Sequence, residues 1–298
     1  MRWEGEDTYR VLSYYFSFRW NSPPVGEFVR HVLEPFAVPP DPGEERNPPM
    51  PGLPPRYSLL TLSKSATRRH RLFYGTELAL ASDEPRDVLE HLFWHINYET
   101  VRMTGSFLLI HAGAVASPAG DGILLPADSG SGKSTLVTGL VQAGFGYLSD
   151  EAGAIDPVSR RLYPYRKAIF LKENGAAESD LFADLRSSND GYASLTRQWC
   201  LRPEDIRPGA LGAPCEVRFV IAPRYRKGAA TEIAPMTRAD AVRELAMNSM
   251  NLPLYQGRAL PLLADIVRGA QSYRLTSGDL GEAVRAVEGL VRRPPVAS

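Results

Sequence analysis

The chain is poor in cysteine, has no excess of charge of either sign and contains no long apolar run, and each shortage closes off a class of function. Its two cysteines, Cys200 and Cys215, stand in neither a metal-ligand spacing nor a disulfide framework. A reducing cytoplasm is therefore the expected setting, and neither thiol is expected to be a nucleophile. Lys plus Arg and Asp plus Glu both number 34. That balance argues against nucleic-acid binding by the surface as a whole, while leaving room for a local basic groove. No stretch of about 18 apolar residues occurs, and residues 1–7 lack a basic region followed by an apolar run, so the protein is expected to be neither membrane-bound nor exported. No internal repeat is visible.

What is present is an ordinary globular composition, 44% hydrophobic and 23% charged over 298 residues. The length suits one large domain, or a domain of about 150 to 200 residues with a smaller companion. Residues 9–20 are aromatic and β-branched and read as a strand; residues 25–36 have helical spacing. Eight prolines between residues 39 and 55 exclude helix and central strand there and mark an extended connection. Residues 57–63 and 71–81 alternate as two strands, and residues 84–103 form a helix with Val88, Leu89, Leu92, Phe93 and Ile96 on one face. Trp94 and His95 on that helix read as core-packing side chains.

From residue 107 the pattern becomes chemically informative. Residues 107–116 (FLLIHAGAVA) form a buried strand, 117–122 a turn, and 123–126 a second strand, giving an antiparallel hairpin. The second strand enters Ala127-Asp128-Ser129-Gly130-Ser131-Gly132-Lys133-Ser134-Thr135, and residues 133–143 continue as a helix. Strand, glycine-rich loop and helix are the context in which such a sequence cradles phosphate. Backbone N–H groups and the helix terminus surround the phosphate oxygens, and the lysine adds a mobile charge. Ser129, Gly130, Ser131, Gly132, Lys133, Ser134 and Thr135 are the expected nucleotide contacts, with Ser134 on Mg²⁺. Ala127 stands where the first glycine is expected; alanine is accommodated if its φ is negative.

Two further residues are drawn to the same place. If Ala116 pairs with Ile123, paired numbers sum to 239, and His111 falls opposite Asp128. Residues 145–149 form the next strand, expected to run parallel to the loop's strand after a right-handed crossover, so that Asp150 emerges at the same edge of the sheet. An aspartate there can bind Mg²⁺ or take a proton from an attacking hydroxyl. Glu151 follows it. Arg160-Arg161, Arg166-Lys167, Lys172, Arg224 and Arg226-Lys227 supply basic charge; Arg166, Lys172 and Arg224 are singled out as groups able to close on a phosphoryl group. Farther on, residues 162–171, 216–222 and 231–235 read as strands and residues 239–247, 259–270 and 280–291 as helices, whereas residues 174–212 carry no clear pattern.

The succession His111-Ala112-Gly113, then residues 128–134, then Leu148-Ser149-Asp150-Glu151 resembles the catalytic domain of bacterial HPr serine kinase/phosphorylase and, more closely, the HPr-kinase-related proteins. The likeness covers residues 105–172 and, more faintly, the rest to the carboxyl terminus; residues 1–104 do not resemble the regulatory kinases' amino-terminal domain. It implies an α/β fold similar to phosphoenolpyruvate carboxykinase, a mixed sheet with a hairpin strand before the phosphate loop, at residues 105–298. Residues 1–104 would be a smaller α+β region. It further implies that Asp150 is the acid that deprotonates a target serine and that His111 interacts with Asp150, while Glu151 replaces a second aspartate. The expected activity is ATP- and Mg²⁺-dependent transfer to a hydroxyl, a serine of a peptide or small protein, with peptide natural-product modification among the settings. Lys133 and His111 would assist Asp150, and no nucleic acid or membrane is expected as a partner. A small-metabolite kinase and a noncatalytic nucleotide-binding switch share the same loop, and the sequence leaves a homo-oligomer open.

Overall fold

The structure is a computed structural model that describes residues 2–39, 56–64, 67–172, 182, 185, 192 and 194–292. The chain divides into two compact units, residues 1–104 with 190–200, and residues 105–189 with 201–298. Nearly all of the proline-rich stretch of residues 39–55 lies outside the described residues.

In the first unit a five-stranded sheet has the order β1-β2-β3-β4-β5. The elements are β1 (Gly5–Val11), β2 (Tyr14–Trp20), helix α1 (Pro23–Leu33), β3 (Arg56–Lys64), β4 (Thr67–Tyr74), β5 (Glu77–Ser82) and helix α2 (Pro85–Met103). Only β2 and β3 are parallel, and α1 lies between them in sequence. Residues 9–20, read as one strand, are two. The chain reverses at Leu12, whose φ of 52° places a left-handed residue in a turn with no glycine or proline to announce it. Residues 71–81 likewise contain a turn, at Gly75 with φ 60°. On α2, Val88, Leu89, Leu92 and Ile96 are buried. Trp94 is not: it is 58% exposed and stacks on Tyr98 one turn later with ring centroids 5.7 Å apart. His95 Nδ1 lies 2.7 Å from the Tyr57 hydroxyl.

The second unit runs β6 (Leu108–Ala116), β7 (Gly122–Pro126), α3 (Lys133–Gln142), β8 (Gly146–Ser149), β9 (Ala152–Ile155), β10 (Arg161–Tyr163) and β11 (Ile169–Lys172). After β12 (Gln198–Leu201), where the chain returns from the first unit, come α4 (Pro203–Ile206), β13 (Cys215–Tyr225), β14 (Glu232–Pro235), α5 (Arg238–Met247), α6 (Ala259–Arg268), β15 (Gln271–Ser277) and α7 (Leu280–Val291). The protein is thus mixed α/β, with large mixed sheets and seven α-helices among the described residues. No described helix is long and apolar enough to cross a membrane.

The eight-stranded sheet has the order β10-β9-β6-β7-β13-β15-β14, with β8 also on β6. Strand β6 organises it. Its first half, residues 108–111, pairs with β9, and its second half with β7 on one edge and β8 on the other. Where β7 no longer reaches, residues 248–251 take its place: Leu109 N–H donates to Asn251 Oδ1 at 2.9 Å, His111 N–H to the Asn248 carbonyl at 2.7 Å, and Met250 N–H to the Leu109 carbonyl at 2.8 Å. Both β7 and β8 are antiparallel to β6, so they run in the same direction with β6 between them, and the ends of both emerge on one edge.

The hairpin register differs by one from the sequence reading. Ala116 pairs with Gly122 and Ala112 with Pro126, a sum of 238, which puts His111 level with Ala127 instead of Asp128. The turn borrows Gly122 for the strand because a side chain there would come within 2.6 Å of the Glu216 carbonyl on β13, so only glycine fits. Strand β15 escaped the sequence reading altogether. Its residues are mostly half-buried and lack an apolar alternation, yet it lies between β13 and β14 and is parallel to β13. Strand β9 was also missed, and residues 162–171 are two short strands, β10 and β11.

Gly113 sits on β6 under α3, where an added Cβ would come 2.6 Å from Val137 Cγ2. Valine is stiff at χ1 and cannot swing away. We predict that Gly113→Val lowers unfolding stability by about 1–3 kcal/mol, measured by urea denaturation; an unchanged midpoint would show that this close packing of strand and helix is not required.

Candidate functional site

The loop of residues 127–132 leaves β7 and enters α3 through two left-handed glycines, Gly130 with φ 83° and Gly132 with φ 88°. Ala127 is not among the described residues of positive φ, so its methyl is tolerated where glycine was expected. Gly132 is the N-cap of α3, and no side chain caps the helix; Thr237 and Asp279 cap α5 and α7. The first amides of α3 therefore have no acceptor from an N-cap side chain. The Ser131 hydroxyl oxygen is buried and has no hydrogen-bond partner among the described residues. Ser129 and Gly130 are exposed, and Thr135 is half-buried.

Lys133, the first residue of α3, is buried. Its ammonium donates to the Ala127 carbonyl at 2.5 Å and the Asp128 carbonyl at 2.9 Å, and lies 3.1 Å from His111 Nε2. All three of its protons are thereby used. An ammonium can only donate, so His111 Nε2 accepts and the ring is neutral, with its proton on Nδ1. Burial pulls the His111 pKa down and Lys133 adds to this, against the opposing charge of Glu151. Burial likewise lowers the Lys133 pKa, opposed by Glu151, Asp150 and Asp128.

Asp150 follows β8 and is buried. Ser134 Oγ donates to its Oδ2 at 3.0 Å, and the Tyr147 hydroxyl lies 3.3 Å from its Oδ1 and 2.6 Å from the Lys167 carbonyl. Burial raises its pKa, while Lys167 pulls the other way. The turn that presents it is fixed by Ser149, whose Oγ accepts the N–H groups of Glu151 at 3.1 Å and Ala152 at 2.9 Å. Lys167 Nζ donates to Glu151 Oε2 at 3.0 Å. Lys167 holds the Glu151 carboxyl below its usual range against the effect of burial. In return, burial depresses Lys167, but Glu151 and Asp150 outweigh it and leave the lysine pKa raised.

Taken together, His111, Lys133, Ser134, Asp150 and Glu151 meet at the start of α3. The pairing of His111 with Asp150 that the family resemblance implied is not made. His111 lies against Lys133, with Nδ1 3.8 Å from Glu151 Oε1. Among the basic residues singled out, Arg166 has a buried Nε without a partner among the described residues and forms no ion pair with either carboxylate. Lys172 ends β11, exposed, without an ion pair among the described residues. Arg224 is exposed near the end of β13; from the pairing of Val220 with Leu124, the parallel register brings it level with Asp128. The cation that reaches the carboxylates is Lys167. Its neighbour Tyr147 was missed as well, although a tyrosine three residues before Asp150 at the end of an apolar strand was a usable signal. Both cysteines are buried, and burial pushes the Cys215 thiol up to about 11, which suits no nucleophile.

The arrangement is a set of donors around a helix terminus beside a carboxylate and a hydroxyl, suited to an anion and a hard cation. No family model and no curated protein matches the chain.

His111 is depressed below the ordinary histidine value, so the folded protein binds this proton more weakly than the unfolded chain does. Its contribution is complete above about pH 6.5 and is lost as the pH falls below that value. We predict that the melting temperature drops less between pH 7.5 and 5.5 in His111→Gln than in the parent protein, measured by calorimetry; parallel curves would contradict the neutral, half-buried imidazole.

Proposed function

We propose that this chain is an ATP- and Mg²⁺-dependent kinase with a phosphate-binding loop and a sheet of the HPr-kinase type, transferring a phosphoryl group to a serine hydroxyl of a peptide or small protein. The observation that carries the reading is the contact of Ser134 Oγ with the buried Asp150 carboxylate at 3.0 Å, one residue beyond Lys133. The antiparallel strand ahead of the loop, β6 on β7, supports the likeness of the fold.

The residues present fit the cation. Ser134 Oγ and Asp150 offer two hard oxygens side by side, and among the described residues no cluster of three or more His, Cys, Asp or Glu forms a metal cage. Mg²⁺ is commonly held by one or two protein oxygens, with waters and phosphate oxygens completing its octahedron. When bound, it would neutralise charge on the phosphates.

The protein's own residues supply the rest of the proposed reaction. Lys133 gives up one or both carbonyls to reach the phosphates, whose oxygens also take the amides at the head of α3. Asp150 accepts the proton of the serine hydroxyl. The serine oxygen then bonds to the γ-phosphorus as the bond from phosphorus to the β–γ bridging oxygen breaks, and ADP leaves with that electron pair. Lys167 favours the ionised form of Asp150 that this requires, and Glu151 keeps Lys167 in place. His111, neutral, orients Lys133 through Nε2.

Asp150→Asn is expected to lower transfer by about 10²–10⁴-fold while nucleotide still binds, and Lys133→Ala is expected to weaken nucleotide binding itself. Labelled ATP offered with serine-containing peptides and small proteins, including the products of neighbouring genes, checks both. Turnover unchanged in Asp150→Asn would sink the mechanism.

A further inference from the structure

The glycine-rich loop has two flanks, and His111, Asp150 and Glu151 occupy one of them. Strand β6, with β8 and the Asp150 that follows β8 beyond it, lies on one side of β7; β13 lies on the other. If the γ end of a triphosphate sits by Lys133, Ser134 and Asp150, a triphosphate that crosses the loop away from β6 carries the rest of the molecule toward β13. The last residue of β13 is Tyr225, and its Cβ is 3.4 Å from where a Cβ on Gly132 would sit. Its side chain therefore leaves the backbone beside the head of α3. The residue is 50% exposed, and among the described residues its ring has no aromatic, cation or hydrogen-bond partner.

The backbone beneath this tyrosine is held firmly. Tyr225 pairs with Ser277 in the parallel register of β13 and β15. Arg226 N–H donates to the Ser277 carbonyl at 2.9 Å, Ala229 N–H to the Arg226 carbonyl at 3.0 Å, and Gly278 N–H to the Ala229 carbonyl at 3.1 Å. A Cβ on Gly278 would come 2.7 Å from Ala229 N and the Arg226 carbonyl oxygen, so the turn after β13 packs backbone to backbone on the end of β15. Ser277 Oγ adds contacts to Thr231 Oγ1 and the Asp279 carbonyl, each at 2.7 Å. An exposed aromatic ring on so well tied a turn costs little ordering entropy when a flat ligand covers it.

Building on the kinase reading, we propose that Tyr225 is the platform on which the base of the phosphoryl donor stacks, which makes the donor a nucleoside triphosphate and not an inorganic polyphosphate. Every base has a π-face, so such a platform recognises the class without hydrogen-bond readout.

The test is calorimetric titration of the full chain with ATP and with inorganic tripolyphosphate, each with Mg²⁺, for the parent protein, Tyr225→Ala and Tyr225→Phe. Tyr225→Ala should lose about 10-fold or more in ATP affinity, keep its tripolyphosphate affinity within about twofold, and melt at the parent temperature; Tyr225→Phe should bind ATP as the parent does. Equal ATP binding by parent and Tyr225→Ala overturns the platform, as does an equal loss for both ligands. A parent protein that binds tripolyphosphate as tightly as ATP also overturns it, leaving the loop intact as a phosphate site. A parent protein that binds neither ligand overturns the kinase reading, and the platform with it.

Discussion

A carboxylate that the fold removes from water must be met by the protein, and the environment of Asp150 is organised around that need. Leaving such a group unpaired costs several kcal/mol, and pairing it requires partners placed by other elements. Here α3 supplies Ser134, β8 supplies Tyr147, and the segment after β10 supplies Lys167. That segment is brought in by its backbone: Tyr165 N–H donates to the Leu148 carbonyl at 2.8 Å, and the Tyr147 hydroxyl lies 2.6 Å from the Lys167 carbonyl. The half-buried Lys167 is in turn paired with Glu151, 3.0 Å away. One buried acid thus brings together a strand, a helix and a returning loop.

The same need explains why β6 holds the centre of the unit. Asp150 and the loop emerge from strands that run in one direction, and a single antiparallel strand between them sets their separation. The outer half of β6 would have an unpaired edge beyond the end of β7, and buried backbone groups without partners are costly. Asn251 covers it from both sides of one amide, accepting from Leu109 N–H and donating to the Phe107 carbonyl at 2.8 Å. Through Asn248 the same segment fixes the backbone of His111, so the position of the imidazole beside Lys133 depends on residues far along the chain.

What could be read in advance follows from how local each signal is. The loop between β7 and α3 has a sequence dense enough to locate it, and its neighbours His111 and Asp150 were reachable because a hairpin and a crossover have few solutions. The register slipped by one because the choice between Gly122 and Ile123 as first paired residue depends on the Glu216 carbonyl, a contact from β13. Lys167 gave way to Arg166 and Lys172 because nothing in a basic cluster says which side chain turns inward. Strand β15 carried no alternation, since its partners on both edges, β13 and β14, come from elsewhere. In the first unit, Leu12 hid a turn that only its backbone angle reveals. Trp94 was read inward because aromatic residues on an amphipathic helix usually are.

On the kinase reading, the charges around the site favour a donor that arrives with its own cation. With Asp150 ionised and His111 neutral, Lys133 and Lys167 balance Asp150 and Glu151, and little net positive field is left to attract a bare triphosphate. All three protons of Lys133 are engaged, so it reaches phosphate only by leaving carbonyl oxygens of the loop. On the kinase reading, a metal-bound triphosphate resolves both constraints. Asp150 and Ser134 would hold the cation, and phosphate oxygens would replace the carbonyls that Lys133 gives up. Lys167 and Glu151 need not move, because their pairing is internal and does not use the loop. The changes then centre on Lys133 and Ser134, both on the first turn of α3, where the helix terminus favours the incoming negative charge.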